Sequence, residues 1–346
     1  MVIIVGFGNP LLDIIVQLDD DTILQKYNIR EDYEKEETAN VIRLLLKDVS
    51  HLSPVFAPGG CAQNTLRILQ WILNEPNSTV MMGAVGTDEH SAILEKLVQE
   101  AGVHTHYCRK ENHPTGCSVV LIKGVHRALI AHIGAAQYLN IDDIRCNEKL
   151  DVLMKANLVY VEGFFVSQRV AIVEYVEAFC NDKSIPFVFN LSGVYMIENF
   201  PTEMWAFAQN ADVLFGNSRE YKTLIKNTNL SLSVDHFAIQ LCQNYQNRKN
   251  LPYGKLVVIT NGDECVICAH SGGHIEVLHV PKIDKSKFKD SNGAGDAFAA
   301  GFLAGLLLKK EPLTSMKWGC WSAQQIIQQS GCTIPKYTAQ FITSID

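Results

Sequence analysis

The sequence predicts an α/β fold: an open, mostly parallel β-sheet flanked by helices on both faces, with a small second sheet beside it. Short apolar runs alternate with longer helical patterns along the 346 residues, which is the rhythm of a parallel α/β sheet. The runs hold few polar residues, as expected of strands that are covered on both faces. Apolar residues make up 47% of the chain and charged residues 19%, a composition that excludes a disordered protein.

The strands of the main sheet are predicted from these apolar runs. In chain order they are Val2–Val5, Val80–Met82, Leu158–Val161, Phe187–Phe189, Val213–Phe215, Leu256–Thr260 and Glu264–Ala269. Helical periodicity predicts helices between and after them, at Gln63–Leu73, His90–Ala101, Ser167–Asn181, Asp296–Lys309 and Leu313–Ser330. Helices of this kind are the usual connections between parallel strands.

The second sheet is predicted where the alternation of strand and helix breaks down. The strand-like stretches there are Asp13–Leu18, Ser53–Ala57, Cys117–Lys123 and Arg127–Ile133. The first two enclose a charged segment, residues 28–40, and the last two read as a hairpin that turns near Gly124 and Val125. These stretches are expected to form a smaller sheet outside the main one.

Charge, hydropathy and cysteine content narrow the class of protein. A net charge of −7 provides no basic surface for nucleic acid or an anionic membrane. No apolar run reaches about 18 residues, so no membrane span is predicted. The segment Met1–Leu18 lacks a basic start and is interrupted by Asp13, which argues against a signal peptide. Ten scattered cysteines then predict a reducing compartment, the cytoplasm, with the nucleus as an alternative.

The segment Asp290–Phe298, which reads DSNGAGDAF, lies directly before the predicted C-terminal helices. A Gly-Ala-Gly turn that enters a helix presents several backbone N–H groups at the positive end of the helix dipole, and this arrangement binds anions. Asp296 would then lie beside a bound phosphate, where it could accept a proton from an attacking hydroxyl. The alternative interpretation is a tight turn with an aspartate at a helix start.

Polar and glycine-rich segments also follow or precede the early elements. Gly59 and Gly60 come before a helix and would let the backbone approach a ligand closely. After the first strand, a dinucleotide-binding fingerprint would need a glycine where Leu11 stands, which argues against a nicotinamide-dependent oxidoreductase. Asn9 and Asp13 are instead a polar pair suited to the vicinal hydroxyls of a sugar.

Two further segments follow strands of the main sheet. Asn217 and Glu220 could hold a hydrated Mg²⁺, or they could form a helix cap. Thr260 and Gly262 are predicted on the nucleotide side. Because the carboxyl ends of parallel strands share one edge of the sheet, these segments are expected to gather there.

Together these motifs resemble the ribokinase-like family, the carbohydrate and nucleoside kinases of the phosphofructokinase B type. Within that family the resemblance is to the branch that phosphorylates adenosine. It rests on residues 8–13, 59–64, 163–165, 215–220, 290–298 and 331–333, and it spans nearly the whole chain in order. The resemblance implies transfer of the ATP γ-phosphoryl group to the 5′-hydroxyl of adenosine, with Mg²⁺ as cofactor and a monomeric protein.

The resemblance also implies a division into domains and a set of site residues. A large domain would comprise residues 1–13, 58–112 and 136–346, and a lid would comprise residues 14–57 and 113–135. The implied catalytic residues are Asp296 as the base, Gly293, Ala294 and Gly295 as the anion hole, and Arg127 reaching from the lid toward the phosphates. The implied adenosine-binding residues are Asn9, Leu11, Asp13, Gly59, Gly60, Cys61, Asn64, Leu129, Ala131 and Phe164. The implied ATP-side residues are Asn217, Glu220, Thr260, Gly262 and Asn292, with Mg²⁺ held through water at the first two and a candidate K⁺ site near Asp290.

Two alternatives stay open at this point. The chain could be a ribokinase-like kinase for another nucleoside or a sugar, although Phe164 and the apolar lid residues favour a flat aromatic base. It could also be a non-catalytic nucleoside-binding protein on the same fold, against which the intact Asp296 and glycine turn argue. One departure from the family pattern is Cys61, which stands where the relatives carry a small hydroxyl residue.

Overall fold

The structure is a computed structural model that describes residues 2–30, 34–124, 126–228, 231–246, 249 and 251–339. Its strands are β1 (Ile4–Phe7), β2 (Leu11–Gln17), β3 (Glu34–Glu36), β4 (Val55–Gly59), β5 (Thr79–Val85), β6 (His104–Arg109), β7 (Cys117–Lys123), β8 (His126–His132), β9 (Leu158–Glu162), β10 (Phe187–Asn190), β11 (Val213–Asn217), β12 (Leu256–Asn261), β13 (Cys265–His270) and β14 (His274–His279). Its α-helices are α1 (Thr22–Lys26), α2 (Ala39–Val49), α3 (Cys61–Leu73), α4 (Glu89–Glu100), α5 (Ile141–Ile144), α6 (Asn147–Met154), α7 (Val170–Asp182), α8 (Val194–Asn199), α9 (Pro201–Asn210), α10 (Ser218–Asn227), α11 (Val234–Gln243), α12 (Ala294–Leu307) and α13 (Pro312–Ile326). Within the described ranges, no helix is both long and apolar enough to cross a bilayer.

The main sheet has nine strands in the order β14-β13-β12-β11-β10-β9-β1-β5-β6. The strands from β6 to β12 in this order are parallel, and β13 and β14 join antiparallel at one edge. β1 lies between β5 on one side and β9 on the other, because the chain adds β5 and β6 on one side of β1 and then crosses back to add β9 on the other. The crevice at the carboxyl ends of strands beside such a reversal is where open α/β sheets bind ligands.

Helices cover both faces of this sheet because its strands are apolar on both sides. All residues of β1 and β5 are buried. On one face α3, α12 and α13 form a core around residues such as Leu66, Phe302 and Trp318. On the other face α7, α9, α10 and α11 form a second core that includes Phe207 and Tyr221. The predicted fold class is confirmed.

The second sheet has five strands in the order β3-β8-β7-β2-β4. One of its faces is apolar, and its residues share a buried cluster with Leu45 of α2. The opposite face carries Asp13, Ser118 and Ala131 in one cross-strand row. Val125, predicted near the hairpin turn, lies outside the described residues.

Three strands were not expected from the sequence: β3, β6 and β14. All three carry polar or charged residues: β3 reads Glu-Lys-Glu, His104 and His106 alternate in β6, and β14 holds His274, Glu276 and His279. Each also lies at the edge of its sheet, where one row of backbone groups faces outward and polar side chains are favoured. Apolar runs therefore identify central strands well and edge strands poorly.

Candidate active site

Asp296 lies in the first turn of α12 and is 8% exposed. Its Oδ2 accepts a hydrogen bond from Nδ2 of Asn64 at 3.1 Å. Burial raises the pKa of the Asp296 carboxyl to about 6, with a smaller upward contribution from the charge of Asp13, while hydrogen bonds from Asn64 and Cys61 oppose the rise. The group is therefore ionised at neutral pH and can accept a proton.

Gly293 and Gly295 precede Asp296 and differ in what surrounds them. Gly293 is the N-cap of α12 with a φ of 74°, and a Cβ at this position would stand 2.5 Å from Sγ of Cys332. Gly295 has no described atom within 4 Å of the place where a Cβ would be. The turn therefore needs a glycine at 293 for its own conformation, whereas at 295 there is open space beside the first turn of α12, and a helix N-terminus can bind an anion.

Asn64 is oriented by Arg67, which the sequence analysis did not identify. Nη1 of Arg67 donates to Oδ1 of Asn64 at 3.1 Å and to the backbone oxygen of Pro58 at 3.2 Å. Because Oδ1 is engaged, the NH₂ group of Asn64 points to Asp296. Arg67 is buried within α3, and its place in an apolar helical pattern gave no signal for this role.

Cys61 begins α3 and lies within hydrogen-bond reach of Asp296. Burial raises the pKa of the Cys61 thiol well above its usual range, and the nearby carboxylates of Asp296 and Glu162 add to the rise. The thiol is therefore protonated and donates to Asp296. A thiol is a weaker hydrogen-bond donor than a hydroxyl, so Cys61 holds Asp296 less firmly than Asn64 does.

Asp13 of β2 faces Gly59 at the end of β4. Its Oδ1 accepts a hydrogen bond from the hydroxyl of Ser118 on β7. Burial raises the pKa of Asp13, while the Ser118 hydrogen bond and the charges of Arg127 and Arg67 oppose the rise. A Cβ on Gly59 would overlap the Asp13 carboxylate, so glycine is required for the carboxylate to lie against this backbone.

Gly60 is the N-cap of α3 with a φ of 90°, and a Cβ there would overlap the backbone oxygen of Asn9. The side-chain amide of Asn9 is occupied by protein groups: Oδ1 accepts from Arg169 at 2.9 Å, and Nδ2 donates to the backbone oxygen of Phe164 at 3.2 Å. Asn9 therefore joins the end of β1 to the turn at Gly163–Phe165.

Phe164 stacks against Tyr195, with ring centroids 5.6 Å apart and an interplanar angle of 23°. Tyr195 is 55% exposed and was not identified from the sequence. Leu11, Leu129 and Ala131 are half-buried on the second sheet. They lie on the face that carries Asp13 and Ser118. The apolar residues predicted for the base are thus divided between the two sheets.

Arg127 of β8 forms an ion pair with Asp290, with Nη1 and Oδ2 3.5 Å apart. Asp290 also accepts backbone hydrogen bonds from Asn292 at 2.9 Å and from Gly331 at 3.0 Å. The second sheet is thereby tied to the loop before α12. Asp290 therefore meets both the backbone of Gly331 and the guanidinium of Arg127.

Asn217 and Glu220 form a reciprocal cap at the start of α10. Oδ1 of Asn217 accepts from the backbone N–H of Glu220 at 3.0 Å, and the Glu220 carboxylate accepts from the backbone N–H and the side chain of Asn217 at 2.8 and 2.7 Å. Burial raises the pKa of Glu220 to about 7. The capping interpretation is therefore correct for the structure as it stands.

The remaining ATP-side residues lie along the same sheet edge. Thr260 is paired in register with Asn217 between β12 and β11. Gly262 follows in a turn with a φ of 57°, and no described atom lies within 4 Å of its Cβ position. Asn292 is half-buried between Asp290 and the glycine turn.

Comparison with known proteins finds a family profile and relatives that match this chain. A profile described as pfkB family carbohydrate kinase matches residues 45–339. The chain is 32% identical over 335 residues to Adenosine kinase 2 of Arabidopsis thaliana, with 96% of each sequence covered.

Solved structures agree with the sequence relatives. The Anopheles gambiae adenosine kinase, in complex with P1,P4-di(adenosine-5) tetraphosphate, is similar with a TM-score of 0.84 and 30% identity, and the match covers 97% of this chain and 99% of that chain. The Schistosoma mansoni adenosine kinase in complex with adenosine and AMP has a TM-score of 0.83 and 26% identity, covering 96% and 97% respectively.

Proposed function

The chain belongs to the pfkB family of carbohydrate kinases, and we propose that within this family it is an adenosine kinase, which transfers the γ-phosphoryl group of ATP to the 5′-hydroxyl of adenosine. The observation that carries the proposal is the buried, ionised Asp296, held by Asn64 beside the open Gly295 at the start of α12. Relatives that match this chain over 95–96% of its length include adenosine kinases of Arabidopsis thaliana and Dictyostelium discoideum, which supports the proposal.

In this proposal the nucleoside binds between the two sheets. The Asp13 carboxylate would accept hydrogen bonds from the ribose hydroxyls, and its position against Gly59 supports this role. The base would pack on Phe164 and on the apolar residues of the second sheet. Packing on both sides excludes water, which would otherwise compete as the phosphoryl acceptor.

Asp296 would remove the proton from the 5′-hydroxyl as the oxygen attacks the γ-phosphorus. The N–H groups of the turn Gly293–Gly295 would stabilise the negative charge on the transferred group, supported by the helix dipole. Arg127 would add positive charge from the second sheet. Phosphoryl transfer depends mainly on such positioning and charge stabilisation.

Asn217 and Glu220 are suited to binding a hydrated Mg²⁺ through its water ligands. Glu220 is buried behind Asn217, and both of its oxygens already accept hydrogen bonds from that residue, so its charge would act on the ion through water, which Mg²⁺ retains readily. Bound there with ATP, Mg²⁺ would neutralise part of the phosphate charge. The candidate K⁺ site near Asp290 stays a prediction, tested by replacing K⁺ in the assay with a large organic cation.

The deciding experiment is a direct assay of AMP formation from ATP and adenosine, run in parallel with inosine, guanosine and ribose. We expect AMP and ADP in equal amounts and a strong preference for adenosine. A preference for ribose or another nucleoside would contradict adenosine as the substrate, but the protein would still be a kinase. Nucleoside binding without any product at saturating Mg²⁺ would contradict catalysis.

A further inference from the structure

Glu162, the last residue of β9, is a buried carboxylate that the proposed chemistry does not use. It is 1% exposed. Its Oε1 accepts the backbone N–H of Asn9 at 2.8 Å, and its Oε2 accepts the backbone N–H of Ala62 in the first turn of α3. One side chain therefore binds both the segment after β1 and the segment after the Gly59-Gly60 pair.

The surroundings of Glu162 are tightly packed and charged. A Cβ on Gly8 would stand 2.8 Å from the Glu162 carboxyl carbon and 2.5 Å from Cβ of Ala62. Arg169, at the start of α7, attracts Glu162 electrostatically and donates to Oδ1 of Asn9. The negative and positive groups are thus linked through Asn9.

A buried carboxylate is costly unless its oxygens are hydrogen-bonded and its charge is compensated. Here the hydrogen bonds come from Asn9 and Ala62, which belong to the proposed substrate segments, and the compensating charge comes from Arg169. Asn9 leads directly to Leu11 and Asp13, and Ala62 lies between Cys61 and Asn64. Through Asn9 the same network reaches the carbonyl of Phe164.

We propose that Glu162 is a positioning residue for adenosine, and that its carboxylate sets the separation between the strand end at Asn9 and the helix start at Ala62. This inference rests on the proposed function for the identity of the substrate. Glu162 does not touch the reacting atoms, and it acts through the two segments that would bind the ribose and the base.

The charge of Glu162 also couples this positioning to pH. The charged or titratable groups that face it are Asp296 from α12, Arg169 from α7 and the protonated thiol of Cys61 from α3. Burial raises the pKa of Glu162 to about 7, the charge of Asp296 adds to the rise, and the two N–H hydrogen bonds and Arg169 oppose it. As pH falls through about 7, protonation places a hydrogen on one oxygen and removes an acceptor. The KM for adenosine should therefore rise on the acidic side.

The test is Glu162→Gln, which keeps the shape but turns an NH₂ group toward one of the two backbone donors. We expect the KM for adenosine to rise about 10-fold, since a charge-assisted hydrogen bond is lost, while kcat stays within about threefold. The acidic rise in KM should disappear in the variant. The matched control is Glu177→Gln, another carboxyl with a pKa raised by burial, on α7 and hydrogen-bonded to Asn210, which should leave both parameters unchanged.

An unchanged KM in Glu162→Gln would overturn the proposal, as would equal effects in the Glu177 control. If the variant does not fold, the pH profile of the wild type decides, because a KM that is flat from pH 6 to 8 contradicts the proposal and a rise below pH 7 supports it. A wild-type protein that forms no AMP would refute the proposed function instead. In that case, calorimetric binding of adenosine to the wild type and the variant tests Glu162 separately.

Discussion

At the scale of single residues, the site holds three carboxyl groups, the buried Asp296 and Glu162 and the half-buried Asp13, and each has different donors. Burial raises the pKa of all three, and hydrogen bonds oppose the rise in each. Asp13 is bound by a hydroxyl from the second sheet, Asp296 by an amide from α3, and Glu162 by two backbone groups. Carboxyl groups that share a region but not an environment can perform separate tasks.

The residue on which catalysis depends in this proposal is Asp296. We expect Asp296→Asn to lower kcat by about 10²–10⁴-fold, the usual contribution of a positioned base, while adenosine binding changes little. Steady-state kinetics and calorimetry measure the two quantities. Near-normal turnover in the variant would show that another group accepts the proton.

The pH dependence of kcat follows from the same carboxyl. A base must be ionised to act, and the pKa of Asp296 is about 6, so kcat should fall as pH decreases through 6. A pH profile of kcat measures this.

The raised pKa of Asp296 also affects stability. The carboxyl binds its proton more tightly in the native state than in the unfolded state, so the ionised group destabilises the fold above pH 6. Asp296→Asn should therefore melt at or above the wild-type temperature at pH 7.5. A variant that melts well below it would indicate a structural role.

Gly295 and Gly293 are expected to require glycine for different reasons. Gly295 would be needed for catalysis, whereas Gly293 is needed for the backbone conformation. Gly295→Ala should preserve or slightly raise stability, because the Cβ meets no described atom and alanine is favoured over glycine in helices by about 1 kcal/mol. The same methyl would occupy the approach to the N–H groups, so kcat/KM for ATP should fall at least about 10-fold. Gly293→Ala is the comparison, since it should lose stability as well. Full activity in Gly295→Ala would show that the N–H groups of this turn do not form the anion hole.

At the scale of elements, the connection between β8 and the loop before α12 is the Arg127–Asp290 ion pair. Both side chains are about a quarter exposed, and pairs of this kind contribute about 0–1 kcal/mol to stability. The pair therefore matters more for where Arg127 is held than for the stability of the fold.

We expect Arg127→Gln to lower kcat by about 10²-fold, the scale for losing one charge-stabilising donor, with less than about 1 kcal/mol change in the free energy of unfolding. Kinetics and urea titration measure these. Lys123→Gln is the control, because Lys123 lies on the same hairpin and pairs with Asp21. Similar losses of activity in both variants would point to a disturbed hairpin and not to the Arg127 charge.

At the scale of the whole molecule, the proposed substrate lies between two sheets, so binding should stabilise both. Adenosine at 100 times its Kd should stabilise the protein by about 2.7 kcal/mol, which corresponds to a rise of several degrees in Tm. A thermal melt with adenosine, and with ribose at the same concentration as control, measures this. Equal shifts with ribose would argue for a sugar substrate.

The sequence by itself determined the fold class, the central strands and the family, because apolar periodicity and glycine spacing are local properties of the chain. It also indicated Asp296, Asp13 and the two glycine turns, since each follows or precedes a recognisable element. Edge strands such as β3 and β6 were missed, because their polar residues carry no periodic signal.

Only the tertiary structure decided what these residues touch. Arg67, Arg169 and Glu162 are charged residues in largely apolar stretches of the sequence, and their partners lie up to 265 positions away along the chain. The role of a buried charge is set by the donors and acceptors that surround it, and those become neighbours only when distant segments meet at one edge of the sheet.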